Sequence, residues 1–335
     1  MTSLVIQTAF LGDVVLTTPL LAALAEQHGP VDVVTTPAAA PLLETHPAVR
    51  QVIPYDKRGR DRGLAGLLRL ARRLAAGGYE AAYLPHRSLR SAALAFLARV
   101  PRRIGFADGW PLLYTESRRP PGTGHEIDRL LGLVDAPGGS PAPRLYPRPE
   151  DEMVVDRCLS EAGITGDFVV LAPGSIWATK RWPYYEELAS GLAARVAIVV
   201  AGGGEDEDLG RNIAEAVRRS GGRGLDTCGR LTLLQSAALI GRAQLLVTND
   251  SAPLHFASAM GTRVVALFGP TVPEFGFGPI GEGDLALGVT ALECRPCSDH
   301  GPAVCPLGHH RCMRDLHVAT VVTALEESGA LRRRD

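Results

Sequence analysis

The sequence predicts an α/β protein of two doubly wound domains, in which helices cover both faces of a parallel sheet. Short runs rich in β-branched residues alternate with helical stretches along the chain, and this strand–helix–strand rhythm is typical of parallel sheets. A length of 335 residues fits two domains of about 150 residues each. Five prolines within residues 136–150 can neither continue a helix nor lie inside a sheet, so this stretch is the predicted linker.

The first half of the chain supplies four predicted strands, each followed by a stretch of helical character. The strands are SLVIQTA, VDVVTT, QVIPY and EAAYLP. The helical stretches are TTPLLAALAEQ, AAAPLLETH, LAGLLRLARRLAAG and RSAALAFLARV. We assign this series to a first domain over residues 1–145.

The second half repeats the alternation in a domain predicted over residues 146–313. Its strands are DFVVLAPG, RVAIVVAGG, GLDTCG, QLLVTND and RVVALFGP. Its helices are DEMVVDRCLSEAG, a segment from about residue 184, a segment near 206–219, LLQSAALIGRA and PLHFASAMG. Ligands of open α/β sheets bind beyond the carboxyl ends of the strands, so the loops after the strands are where we expect the site.

Residues 314–335 are predicted to form a C-terminal helix. Four apolar residues recur in it at helical spacing, which are Val318, Val321, Val322 and Leu325. We therefore expect this helix to dock on the surface of a domain.

Charge and hydropathy exclude several classes of protein. The formal net charge is -1, which argues against a dedicated nucleic-acid binder, since phosphate contacts need a basic surplus. The apolar N-terminus lacks the positive region of a signal sequence and is interrupted by Gln7 and Asp13. No stretch reaches 18 uninterrupted apolar residues, the length that indicates a membrane span. We expect a cytoplasmic protein.

The first candidate site residue is Asp13, which follows Gly12 directly after the first predicted strand. Aspartate is a favoured N-cap residue, so one interpretation is a helix cap. The other makes Asp13 a general base at the mouth of a ligand site.

The second candidate site is the loop APGSIWATKRWP, which supplies Ser175, Thr179 and Lys180 after a predicted strand. The chain has only two lysines among its 35 Lys+Arg, and Lys57 has no predicted role. A compact ammonium suits a phosphate as a point charge, so Lys180 is a candidate phosphate ligand. The alternative is a solvated charged loop.

The third candidate site is VTNDSAPLH, where a strand passes into a helix with proline in its first turn. The free N–H groups and the dipole of such a terminus attract anions, which points to Ser251, Ala252 and His255. A carboxylate would repel a phosphate, so we expect Asp250 to accept backbone N–H groups and shape the turn. An ordinary capped helix is the alternative.

A glycine run, Gly202–Gly204, follows another strand, but it does not meet the dinucleotide pattern G-x-G-x-x-G. The four acidic residues after it, at 205–208, would repel a pyrophosphate. The glycine run therefore disfavours a dehydrogenase.

Four cysteines lie within nineteen positions: Cys294, Cys297, Cys305 and Cys312. Four thiols at this density can hold a structural zinc ion or an iron–sulfur cluster, although the spacing matches no standard zinc finger. Disulfides are the alternative, because a segment with three prolines forms few regular hydrogen bonds and would need a covalent cross-link.

Four stretches together resemble one known family. They are FLGDVVLTTPLL, LPHRSLRSAALAFLARVPRRIGFADG, APGSIWATKRWP and VTNDSAPLHFASAMGTRVVALFGPTVPEFGFGP. In this order they are similar to the ADP-heptose:lipopolysaccharide heptosyltransferases of glycosyltransferase family 9, most of all the heptosyltransferase II branch. The resemblance implies a GT-B fold of two Rossmann-like domains facing a central cleft, inversion at the anomeric carbon, and catalysis without a divalent metal or other cofactor.

The resemblance also implies roles for residues. Asp13 would deprotonate the acceptor hydroxyl and Lys180 would meet the charge of the departing ADP. The residues implied to bind the nucleotide sugar are Gly12, Ser175, Thr179, Lys180, Asp250, Ser251, Ala252 and His255. The donor would be ADP-L-glycero-D-manno-heptose and the acceptor the lipopolysaccharide inner core. Another nucleotide sugar, or a non-catalytic or epimerase-type protein of the same fold, remains the alternative.

The charge is unevenly shared between the two halves. Residues 1–150 carry 18 Lys+Arg and 13 Asp+Glu, whereas the rest carries 17 and 23. A basic first half suits a phosphorylated glycolipid acceptor and a peripheral position on the inner face of the cytoplasmic membrane, although a solvated arginine surface explains the same counts.

Overall fold

Parallel strands build two six-stranded sheets, one in each of two structural units. The units are Met1–Tyr146 and Pro147–Asp335. The computed structural model describes residues 2–134 and 141–331, so residues 136–140 of the predicted linker lie outside the described part. Among the described residues, no helix is long and apolar enough to cross a bilayer.

The first unit is a doubly wound sheet with the strand order β3-β2-β1-β4-β5-β6. Its strands are β1 (Ser3–Ile6), β2 (Val31–Thr35), β3 (Val49–Pro54), β4 (Ala81–Leu84), β5 (Arg102–Phe106) and β6 (Glu116–Arg118). Its helices are α1 (Leu11–Leu16), α2 (Thr18–His28), α3 (Gly63–Ala75), α4 (Leu89–Leu97) and α5 (Glu126–Leu131). The direction of strand addition reverses between β1 and β4, which are hydrogen-bonded neighbours.

The second unit repeats this topology with the order β12-β11-β10-β7-β8-β9. Its strands are β7 (Phe168–Ala172), β8 (Ala197–Val200), β9 (Gly224–Asp226), β10 (Leu245–Asn249), β11 (Val264–Leu267) and β12 (Leu285–Leu287). Its helices are α6 (Pro149–Glu161), α7 (Tyr185–Leu192), α8 (Glu207–Arg219), α9 (Leu233–Arg242), α10 (Ala252–Met260), α11 (Arg311–Arg314) and α12 (Val318–Glu327). Here the order reverses between β7 and β10.

The central strands are buried on both faces, as expected for parallel sheets covered by helices. Every residue of β1, β4, β7 and β10 is buried. Fully burying each Val, Leu or Ile side chain contributes roughly 1.5–3 kcal/mol, so these apolar runs hold the sheets in place. The sheets in turn fix where the loops after the strands emerge.

The C-terminal helix α12 packs on the second unit. Val321 and Leu325 are fully buried in its core, and Val318 and Val322 pack against that core from the edge. The helical spacing of these apolar residues therefore corresponds to a buried face.

Two parts of the sequence-based assignment differ from the structure. AAAPLLETH forms only a 3-10 turn over Ala40–Leu42, because Pro47 disfavours a helical conformation at the residue before it. The strands β5, β6 and β12 were not predicted, and the edge strands β6 and β12 have only three residues each. Edge strands this short carry too little periodicity to be recognised.

Candidate active site

Polar side chains collect at the point in each sheet where the strand order reverses. This switch point lies between β1 and β4 in the first unit and between β7 and β10 in the second. In open α/β sheets, ligands bind outside the carboxyl ends of the strands at such points. The loops that carry Asp13 and Lys180 follow β1 and β7, and Asp250 follows β10.

Lys180 and Asp250 form a buried ion pair in the second unit. Lys180 Nζ donates to Asp250 Oδ2 at 2.6 Å, and the two side chains are 10% and 11% exposed. The hydroxyl of Thr271 donates to the same oxygen at 2.6 Å. The prediction that Asp250 accepts backbone N–H groups is therefore wrong: its carboxylate binds a cation and a hydroxyl instead, because β10 and the Lys180 loop meet at the switch point.

Asn249, the last residue of β10, fastens the Lys180 loop to the sheet. Its side-chain oxygen accepts from Trp182 N at 3.1 Å and from the Tyr185 hydroxyl at 3.2 Å. Its amide nitrogen donates to Pro173 O at 2.8 Å. These bonds join both ends of the loop to β10, so the ammonium of Lys180 is held from a fixed backbone.

The N-terminus of α10 lies beside this ion pair. Ser251 is the N-cap residue and Ala252 the first helical residue, followed by a proline. His255 belongs to the first turn, is only 6% exposed and meets the ring of Phe277 edge-on at 6.3 Å. A nine-residue helix with free N–H groups at its first turn attracts anions, which agrees with the predicted chemistry of this loop.

Two other hydroxyl residues of the Lys180 loop serve the loop itself. Ser175 Oγ accepts from Trp177 N at 3.3 Å. Thr179 is 4% exposed and its hydroxyl donates to Pro302 O. The Thr179 side chain therefore faces a neighbouring segment, and its predicted role in nucleotide-sugar binding stays a prediction.

The glycine run is folded around a carboxylate. Asp206 Oδ2 accepts from Gly203 N at 3.1 Å, and burial raises the pKa of this carboxyl. A Cβ at Gly174, in the loop after β7, would lie 2.2 Å from Asp206 Oδ2, so only glycine allows the two loops to approach. The glycine run after β8 therefore holds Asp206 against the loop after β7.

Asp13 occupies the third position of α1 in the first unit. Its carboxylate accepts from Phe10 N at 3.1 Å, so it caps the helix from inside the first turn and is not itself the N-cap residue. Gly12 is buried beside it. The α1 turn is held to β1 because Gln7 donates to Thr17 Oγ1 at 3.0 Å and that hydroxyl donates to Asp13 O at 2.7 Å.

A basic cluster surrounds the same switch point. Lys57 Nζ donates to Thr8 O at 2.7 Å, and Arg90 donates to Lys57 O at 3.4 Å. Burial lowers the pKa of Lys57, and the neighbouring Arg58 and Arg90 lower it further. His86, after β4, has a pKa lowered to about 4 by burial and by the charges of Lys57 and Arg129. The sequence assigned no role to Lys57 or His86, because only the fold brings Lys57 to Thr8 and near His86.

The four clustered cysteines are free thiols. Within residues 2–134 and 141–331, no group of three or more Cys, His, Asp or Glu side chains is arranged to hold a metal ion. The metal site at Cys294, Cys297, Cys305 and Cys312 therefore stays a prediction. The disulfides considered as its alternative do not form, since all four thiols are free.

Two units with Rossmann strand order, each with polar loops at its switch point, define a GT-B type glycosyltransferase architecture. The sequence profile of glycosyltransferase family 9 (heptosyltransferase) matches residues 67–306. The chain belongs to this family and is a glycosyltransferase.

Individual relatives agree with this assignment. The chain is 26% identical to lipopolysaccharide heptosyltransferase 2 of Salmonella typhimurium over 306 residues, which cover 81% of this chain and 84% of the relative. It is 31% identical to lipopolysaccharide heptosyltransferase 1 of Pseudomonas aeruginosa over 320 residues, covering 88% and 85%. Its fold matches the structure of E. coli ADP-heptose lps heptosyltransferase II with a TM-score of 0.79 at 23% identity, covering 98% of each chain.

Proposed function

We propose that this protein transfers a heptose from ADP-L-glycero-D-manno-heptose to the lipopolysaccharide inner core. The observation that carries the proposal is the buried Lys180–Asp250 pair beside the N-terminus of α10, a site suited to a diphosphate leaving group. The heptosyltransferases among the relatives support the sugar and the acceptor.

The second unit would hold the donor. The ammonium of Lys180 has three N–H groups, and the ion pair with Asp250 leaves donors for a phosphate oxygen. Ser251 and Ala252 would offer backbone N–H groups to the same diphosphate, and His255 would border it. Together these groups would stabilise the charge that develops on ADP as the glycosidic bond breaks, which is the task a divalent metal performs in other transferases.

Asp13 of the first unit would act as the base. The acceptor oxygen attacks the anomeric carbon, the bond from that carbon to the diphosphate oxygen breaks, and the hydroxyl proton passes to the Asp13 carboxylate. ADP leaves with the bonding electron pair, and a single displacement of this kind inverts the anomeric centre. The Asp13 carboxylate accepts a hydrogen bond from Phe10 N, which orients it at the first turn of α1.

Lys57 and Arg90 of the basic cluster would bind the anionic groups of the acceptor, with the neutral imidazole of His86 beside them as a hydrogen-bonding group. Lys57 and Arg90 are directed to the carboxyl ends of the strands by Thr8 O and Lys57 O. Phosphate and carboxylate groups of a glycolipid core are the anions that such a cluster fits.

An arginine–aromatic surface on the first unit would rest on the cytoplasmic face of the membrane. Phe96, Trp110 and Leu112 are 50%, 42% and 97% exposed. Arg103 joins them, because its guanidinium lies 5.5 Å from the Phe96 ring centroid and donates to Leu113 O at 2.8 Å. Exposed aromatic and leucine side chains beside arginines suit the interface of an anionic bilayer.

The direct test is ADP release from ADP-heptose in the presence and absence of heptose-free lipopolysaccharide. Acceptor-dependent ADP release that continues in EDTA is the expected result. If the protein binds ADP in calorimetry but transfers sugar to no acceptor, the proposal is wrong and the chain is a binding protein. Faster nucleotide release from UDP- or GDP-sugars than from ADP-heptose would contradict ADP-heptose as the donor.

A further inference from the structure

The cysteine-rich segment, residues 294–312, lies directly against the Lys180 loop. His310 Nε2 lies 2.7 Å from Thr179 O, and because a carbonyl can only accept, the imidazole donates. The Thr179 hydroxyl donates to Pro302 O in the same segment. The carbonyl and the hydroxyl of the residue before Lys180 are therefore both bound by this segment.

Gly301 of this segment forms the surface on which the Lys180 side chain rests. Gly301 is buried and has a φ of +78°. A Cβ built there would lie 3.2 Å from Lys180 Cε, 3.4 Å from Lys180 Cγ and 3.1 Å from Pro270 Cγ. The alkyl stem of the lysine thus passes over a glycine whose lack of a side chain leaves room for it.

The segment also contacts the other half of the ion pair. Arg295 donates to Thr271 O at 2.9 Å, and Cys297 N donates to Pro270 O at 2.8 Å. Thr271 in turn donates through its hydroxyl to Asp250. The backbone that carries Thr271 is therefore fixed by the same segment that supports Lys180.

The segment is anchored at its carboxyl end. Cys312 and Met313 are buried in the core of the second unit. Beyond the segment, Leu316 O accepts from Trp182 Nε1 at 2.7 Å. These contacts tie the segment to the core on one side and to the Lys180 loop on the other.

We propose that the cysteine-rich segment positions Lys180 for the donor diphosphate, with Gly301 and His310 as its positioning residues. The inference rests on the proposed function, because it takes the diphosphate as the ligand of Lys180. Gly301 sets where the stem of Lys180 lies and His310 sets the backbone from which it starts. Neither residue touches the donor; each acts through Lys180, so its loss should weaken donor binding and leave acceptor binding unchanged.

The test compares Gly301→Ala with Gly308→Ala, a matched control in the same segment. Gly308 also has a positive φ, +69°, but a Cβ there meets nothing within 4 Å. Both alanines carry the same backbone strain, and only Gly301→Ala presses on Lys180. We expect Gly301→Ala to weaken ADP binding about tenfold in calorimetry and to raise the donor KM, with the acceptor KM unchanged, and Gly308→Ala to stay within about twofold of the wild type.

Three further variants separate positioning from loss of folding. In a protein that already carries Lys180→Met, adding Gly301→Ala should cause no further loss of ADP affinity. The reason is that Gly301→Ala acts by displacing the Lys180 ammonium, which is then absent. His310→Ala should weaken ADP binding about fivefold, and His310→Gln, which keeps a donor near Nε2, should restore most of it.

The outcomes distinguish this inference from the proposed function. If the wild-type protein binds no ADP, the proposed function fails. If the wild type binds ADP and Gly301→Ala binds it equally well, the positioning role is wrong. If Gly301→Ala lowers ADP affinity equally in the wild type and in the Lys180→Met variant, the positioning role is wrong and the substitution only disturbs folding.

Discussion

Lys180 Nζ lies 2.6 Å from Asp250 Oδ2, within a site where both side chains are almost completely removed from solvent. The two residues are 70 positions apart and meet because β7 and β10 are neighbours at the switch point. Lys180 is therefore not a solvated cation of an exposed loop. Its ammonium charge is balanced by Asp250 in the free protein, and a bound diphosphate would share the ammonium with Asp250.

Replacing Lys180 by methionine should lower the free energy of unfolding by about 3–5 kcal/mol, because it leaves the Asp250 carboxylate buried without its cation. Adding Asp250→Asn should restore most of that stability, since the buried charge is then absent. ADP affinity should remain weak in the double variant. Urea unfolding and calorimetry on the wild type and the two variants measure both effects. Full recovery of ADP binding in the double variant would show that Lys180 serves only to neutralise Asp250.

Asp13→Asn should reduce kcat by roughly 10²–10⁴-fold and leave ADP affinity unchanged, because the amide cannot accept the acceptor proton. Asp151→Asn is the matched control, since Asp151 caps α6 as Asp13 caps α1: it accepts from Arg148 N at 2.9 Å, three residues before it. If both substitutions reduce turnover equally, or if neither does, Asp13 is a helix cap and not the base. Steady-state kinetics with saturating donor decide between these results.

Acid should destabilise the first unit through His46. Burial lowers the pKa of His46 to about 4, and its Nδ1 accepts from Ala48 N at 3.2 Å, a bond that protonation removes. The unfolded chain binds a proton near pH 6.5, so this stability is complete above pH 6.5 and is lost as the pH falls toward 4. His46→Gln should flatten the dependence of the unfolding free energy on pH between 6.5 and 4. An unchanged slope in urea titrations would assign the acid sensitivity to other groups, of which His86 is the next candidate.

Alkylation should distinguish the thiols of the cysteine-rich segment. Burial raises the pKa of Cys305, but the backbone N–H groups of residues 307–310 outweigh it and lower the pKa overall. Burial raises the pKa of Cys312 to about 11. At pH 7.5, iodoacetamide should label Cys305 first and Cys312 last, because the thiolate is the reactive form. Peptide mass spectrometry reads out the order. Labelling of Cys305 that begins only after treatment with a chelator would show a bound metal and contradict the free-thiol arrangement.

Leu112→Glu should weaken binding to vesicles that contain anionic phospholipid, because it places a charge in the exposed apolar part of the arginine–aromatic surface. Met153→Glu is the control, since Met153 is a 61% exposed apolar residue on α6 of the other unit. Cosedimentation at low and high salt measures binding. Two results would contradict a membrane position for this surface. One is equal vesicle binding by both variants, and the other is the absence of vesicle binding by the wild type and both variants.

The two doubly wound α/β series, the family and the loops that carry Asp13, Lys180 and Asp250 can all be predicted from the amino-acid sequence. These follow from local signals: apolar runs for buried strands, helical spacing, and polar residues directly after a strand. The same local signals overextended AAAPLLETH into a helix and missed the three-residue edge strands.

The contacts of the site residues follow from the packing of distant segments. This packing pairs Asp250 with Lys180 and Thr271, turns the Thr179 hydroxyl toward Pro302, and places His310 on a loop 131 positions earlier in the chain. The physical reason is that such contacts depend on strand order and on the paths of loops between distant strands. Neither is encoded in the periodicity of any single segment, whereas each bond is fixed once the sheet brings β7, β10 and the loop after β11 to one edge.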